Sequence, residues 1–157
     1  MKLLKKVFLG LVIICVVAQF FRPEKNVGNV DSLNAFLEET QPPKDVKLIL
    51  EGSCYDCHSD VTQYPWYNHI TPINYWLAGH IKEGKKHFNL SNWEGNSVRR
   101  KDHKFEELIE MVEDKSMPLK SYTLTHSDAK LSETQIKWVI HWANLVRLKY
   151  SFTPRPD

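Results

Sequence analysis

Apolar residues along this chain recur mostly at helical spacing, and no stretch alternates apolar and polar in the manner of a half-buried strand. The first run, Val7 to Phe21, is apolar except for Gly10 and Gln19, and it follows a terminus carrying Lys2, Lys5 and Lys6. A basic n-region before an apolar h-region predicts an N-terminal signal peptide or membrane-anchor helix over residues 1–22. At 1.5 Å per residue the run spans roughly 22 Å, short of a hydrocarbon core of ~30 Å. A short uncleaved anchor is the first reading; a cleaved signal peptide, with Val16 and Ala18 as a weak small-residue site, is the second. Lysines ahead of the run place the rest of the chain outside the cytoplasm.

The segment 23–43 reads as a linker carrying one short helix, with Leu33, Phe36 and Leu37 on one face and Pro42-Pro43 as the stop. Val46, Ile49 and Leu50 fall at i, i+3, i+4 in a helix starting near Lys44 or Asp45. Thr71-Pro72 predicts an N-cap and a Pro at N1. Ile73, Trp76, Leu77, His80 and Ile81 continue that stripe, which Gly84 is expected to end. Residues 85–101 are polar and read as a loop. Asp102 is expected to cap a helix through Phe105, Leu108, Ile109 and Val112. Ser132 and Gln135 form a capping box before Ile136, Val139, Ile140, Ala143 and Val146. Trp138 and Trp142 flank that stripe, and Pro154 and Pro156 mark a tail over 153–157. The pattern contains no repeat and predicts a single all-α domain over 44–152.

Composition narrows the class. In 157 residues the formal net charge is +2, and no long basic block suggests a nucleic-acid partner. Five Trp, six Tyr and seven Phe are ample to wall a flat apolar cofactor. Of three cysteines, Cys15 lies in the leader, so the remainder can form at most one bridge.

The two remaining thiols lie in Cys54-Tyr55-Asp56-Cys57-His58, which has the C-x-x-C-H form of covalent c-type haem attachment. With this composition the pattern arises by chance about 0.003 times per chain. Two thiols three residues apart can add to the two vinyl groups of one haem, and the histidine that follows is held as an axial ligand. A thioredoxin-like redox pair lacks its surrounding βαβ pattern. Structural zinc lacks a second close Cys/His pair. On the other side of the iron, Met117 is the first candidate: it follows a helix, and Pro118 disfavours the α region at its position. A thioether there raises the potential; the bland alternative is a Met filling a gap in the core. His80, on an apolar stripe, is the runner-up distal ligand. His69, His87, His103, His126 and His141, or an open sixth site, remain further alternatives. Lys85, Lys86, Arg99, Arg100, Lys101 and Lys104 read as a solvated face, with docking of an acidic redox partner as the functional alternative.

The lead-in helix, the motif, Met117-Pro118 and the closing helix from Ser132 together are similar to the layout of class I cytochromes c. More closely, residues 54–93, Met117-Pro118 and Leu131-Ser132 to Trp142 resemble the bacterial haem-binding domain family of exported proteins with one C-x-x-C-H. The resemblance covers about Val46 to Ala143. It implies a cytochrome c-like helical fold around one covalent haem c per chain, with Cys54, Cys57 and His58 as attachment and proximal residues and Met117 at the distal position. Ser59 stands where many cytochromes c have Gly.

The function expected is single-haem electron transfer with His/Met ligation, on the periplasmic side of the inner membrane, anchored or exported. Its partners would be redox proteins, with the membrane engaged through the N-terminal segment. The alternative is a haem-based sensor or small-ligand-binding module. An enzyme such as a peroxidase comes third, since His80 is the one candidate for its distal acid–base group.

Overall fold

The computed structural model describes residues 2–153, and every regular element among them is helical. Residues 154–157, most of the expected tail, lie outside the described residues. Helix α1 spans Lys2–Ala18, α2 Asn34–Thr40, α3 Lys44–Ser53 and α5 Ile73–His87; between the last two, α4 is a single turn at Tyr55–His58. Then come α6 at Val98–Glu113, a short α7 at Lys120–Thr123, and α8 at Glu133–Ser151. Four 3-10 turns and one isolated antiparallel bridge, Val27 to Val61, complete the connections. The all-α class is therefore the observed one.

The core is built where the stripes of α2, α3, α6 and α8 meet. Leu33, Phe36, Leu50, Leu90, Trp93, Phe105, Val139 and Ala143 are all buried there. Its centre is aromatic and packed edge to face. Phe105 meets Trp142 at 5.2 Å and Trp93 at 5.7 Å, and Phe36 meets Trp93 at 5.1 Å. This arrangement sets positive ring edges against negative faces. The Trp142 indole N–H donates to the Thr40 carbonyl at 3.0 Å, so its one polar atom is satisfied inside the core. The capping box of α8 forms as its sequence predicts.

Four departures have physical causes. Residues 23–43 do more than link, because Leu33 and Phe36 belong to the same core as α8. Gly84 does not end α5, which continues to His87. A Cβ at Gly84 would lie 2.5 Å from the Cys57 carbonyl oxygen, so this glycine serves close approach rather than termination. Thr71 makes no side-chain cap; its hydroxyl accepts instead from Asn74 Nδ2 at 3.0 Å. Helix α6 begins earlier than expected, capped by Ser97, whose hydroxyl accepts from the Arg100 N–H at 3.3 Å. Asp102 lies inside that helix and accepts from Arg147 Nε at 3.0 Å.

The polar stretch 85–101 likewise proves structural in part. Leu90 and Trp93 are fully buried, and Lys101 is buried beneath Glu39 at 2.6 Å with its Nζ 5.6 Å from the Trp93 ring. Lys85 pairs with Asp60 and donates to Asn26 Oδ1 at 2.6 Å. At least these two lysines of the presumed solvated face hold the chain together.

Candidate functional site: the C-x-x-C-H turn and its cleft

The site begins where α3 ends. Cys54 leaves the helical conformation, with φ −125° and ψ −39°, while its N–H still donates to the Leu50 carbonyl at 2.9 Å. The chain then makes one further turn, in which the Cys57 and His58 N–H groups both donate to the Cys54 carbonyl, at 3.2 and 3.0 Å. Positions i, i+3 and i+4 of such a turn share one side, which groups Cys54, Cys57 and His58. Packing of α4 against α5 fixes this turn, and Gly84 is what lets the two backbones approach.

His58 Nδ1 lies 2.8 Å from the Phe88 carbonyl oxygen. A carbonyl can only accept, so Nδ1 carries the proton and Nε2 keeps its lone pair. Burial pushes the His58 pKa below its usual value and outweighs the opposite pull of the Phe88 and Gly84 carbonyls. The ring is therefore held neutral, the form in which imidazole binds a metal.

Both thiols are free. Burial pushes Cys54 up to about 12 and Cys57 up to about 11, reinforced by Cys57 at the first and by Asp56 at the second. Thiols so placed are protonated at neutral pH, unlike the depressed, electropositive thiols of disulfide oxidoreductases. Among the described residues no three His, Cys, Asp or Glu side chains converge as a metal cage, so a closed zinc site finds no donor set.

Beside Cys57 opens a narrow cleft with a cavity volume of about 40 Å³. Trp76, Leu77, His80 and Ile81 of α5 form one wall; Leu119, Tyr122 and His126 form another, with Tyr64 and Tyr67 between. Cys57 lines this space, whereas Cys54, His58 and Met117 are not part of its wall. Met117 is half-buried just after α6, its N–H donating to the Met111 carbonyl at 3.0 Å. His80 is partly exposed; its Nδ1 lies 3.0 Å from the Trp76 carbonyl oxygen, and its ring centroid is 4.3 Å from that of Trp76. His126 stacks on Tyr122 at 4.2 Å. His141 is exposed on α8, outside the cleft wall.

Asp56, between the two cysteines, ties the motif to the far wall. Its carboxylate accepts from the Tyr122 hydroxyl at 2.8 Å and from the Gln63 N–H at 2.7 Å. Burial and this carboxylate push the Tyr122 hydroxyl well above its usual pKa. A second bond, Tyr67 to the Thr125 hydroxyl at 2.9 Å, spans the same cleft. Sequence reasoning missed Asp56 and Tyr122, which lie 66 positions apart with no pattern linking them. It noticed Gly84 but assigned it to helix termination.

Comparison with known proteins bears on this geometry. The haem-binding domain family matches residues 13–145. The chain belongs to this family. No curated protein and no solved structure matches it. An imidazole with a free nitrogen can serve as an axial ligand of haem iron, and an apolar wall suits the flat ring. Here a neutral His58 stands directly after two free thiols, of which Cys57 lines a cleft with rings and aliphatic side chains along its walls. The residues present thus fit the group, with His58, Cys54 and Cys57 as the residues that would hold it.

Proposed function

We propose that this haem-binding domain carries one covalent haem c, bound through Cys54 and Cys57, and serves in single-electron transfer with His58 as proximal and Met117 as distal ligand. The observation that carries this reading is the Phe88 carbonyl holding the proton on Nδ1 of a neutral His58, immediately after two free thiols. A bound haem supplies one-electron exchange between ferric and ferrous iron. The chain's part is to orient and shield. The Phe88 carbonyl holds the imidazole, Gly84 seats the motif on α5, and Trp76, Tyr67 and Tyr122 limit water at the cleft. The domain works on the periplasmic side of the inner membrane, tethered or released, and exchanges electrons with redox partner proteins.

The second reading, a sensor or small-ligand-binding module, is favoured by the cleft wall, which contains His80 and His126 but not Met117. One experiment separates the two. The protein is produced with haem-maturation machinery, its thioether-linked haem is measured, and ferric and ferrous spectra are recorded with and without carbon monoxide. Electron transfer requires a six-coordinate ferrous haem indifferent to carbon monoxide, with Met117→Ala opening the site. Ready binding in the unaltered protein supports the sensor. An unchanged spectrum in Met117→Ala removes Met117 as ligand, and loss of the low-spin signature in His80→Ala then transfers that role to His80.

A further inference from the structure

The structure fixes how α1 leaves the domain. Gln19, just past the end of α1, reads the backbone of Thr71 with both ends of its amide: Nε2 donates to the Thr71 carbonyl at 3.1 Å, and Oε1 accepts from the Thr71 N–H at 3.0 Å. The chain after Gln19 stays on the domain. Asn26 accepts from Lys85 and donates to the Ser59 carbonyl at 2.7 Å, and Val27 bridges to Val61. The helix is thus joined by a short, hydrogen-bonded strap.

The segments that meet at this junction carry uncovered aromatic residues. Phe20 is 83% exposed and Phe21 64%, while Trp66 is 77% exposed just before α5. Ile70, Tyr75 and Trp76, beside Thr71 in sequence, are also exposed. Nearly all apolar side chains of α1 are exposed as well. Among the described residues no helix is long and apolar enough to cross a membrane, and at 17 residues α1 reaches about 25 Å. A segment shorter than the ~30 Å core is accommodated by local thinning and by flanking residues that reach into the interface. Trp and Tyr are the side chains enriched at that level, and Arg22 and Lys25, in the strap, suit anionic headgroups.

We propose that the domain sits directly on the bilayer surface, with Trp66, Ile70, Tyr75 and Trp76 seated in the headgroup layer beside Phe20 and Phe21. The occupant of this surface is lipid. The proposal rests on α1 being a membrane segment. Because Trp76 also lines the cleft beside Cys57, the seated domain turns that wall of the cleft toward the bilayer.

The test uses the unaltered full chain in nanodiscs of phosphatidylethanolamine and phosphatidylglycerol containing a lipid with a photoactivatable diazirine near its glycerol. Adducts are mapped by mass spectrometry. The expected result is labelling of α1 together with labelling of Trp66, Tyr75 and Trp76 severalfold above Trp138, an exposed residue of α8, which packs on α6 and α3. Labelling of α1 with residues 66–76 no higher than Trp138 overturns the seated domain and leaves the anchor standing. An unlabelled α1 removes the anchor and the proposal with it.

Discussion

Two aromatic regions of this molecule use similar side chains to opposite ends. In the core, Phe36, Trp93, Phe105 and Trp142 are buried and fill one another's space, edge to face except for the parallel Phe36–Phe105 pair. In the cleft, the partly exposed Tyr67 and Tyr122 and the exposed Trp76 line an open space, with the two tyrosines held by hydroxyl bonds across it. The core rings close on each other. Tyr67 and Tyr122 are positioned by their hydroxyls, while His126 stacks on Tyr122 and His80 packs against Trp76. Aromatic content alone therefore says little about a cofactor; what matters is whether the rings close on themselves.

The largest test of that contrast is truncation on each side. Phe105→Ala is expected to cost about 3–5 kcal/mol, as for a fully buried ring, and Trp76→Ala under about 1 kcal/mol, as for an exposed residue outside the core. Urea unfolding of both variants decides, and equal losses would make the cleft a second core. Next is Gly84→Ala, where the added methyl meets the Cys57 carbonyl. Overpacking predicts a loss of about 1–3 kcal/mol. It should also perturb the Soret band, because the same contact seats the motif turn; a thermal shift with an unchanged spectrum would place its effect in the fold alone. Tyr122→Phe removes one part-buried hydrogen bond to a carboxylate, worth about 1.5 kcal/mol at the low end for a charged partner. It is expected to lower Tm modestly while speeding carbon monoxide association with whatever fraction binds it, as the cleft loosens.

The smallest effect belongs to the core's polar edge. Burial pulls the Glu39 carboxyl upward, but hydrogen bonds from Lys101 and Tyr150 outweigh it and hold the carboxyl below its usual 4.5. A depressed folded pKa contributes stability that is complete above the unfolded value and is lost as pH falls through the folded one. Tm should therefore decline below about pH 4.5, and Glu39→Gln should flatten that part of the profile. An unchanged slope would mean the pair is screened by solvent.

Much of the core was legible because helical periodicity reports burial directly. Val46, Ile49, Leu50, Phe105, Val139 and Ala143 lie on the stripes that predict them, and all are buried. The periodicity says nothing of Leu90 and Trp93, which enter the core from a polar connection, or of Lys101, whose charge suggests solvent but whose partner, Glu39, lies 62 positions away. The site divides the same way. Cys54, Cys57 and His58 are visible as a motif, since attachment chemistry fixes their spacing.

The sequence by itself thus determined the all-α class, most of the helices, the capping box of α8 and the thiol–thiol–imidazole turn. Each of these depends on interactions within a few residues. Only the tertiary structure decided which nitrogen of His58 is protonated, why Gly84 is a glycine, how Asp56 reaches Tyr122 and how Gln19 grips Thr71. Those contacts join residues 27 to 66 positions apart, and no local propensity encodes them. They exist because the packed core brings α5, the motif turn and the strap within hydrogen-bonding distance.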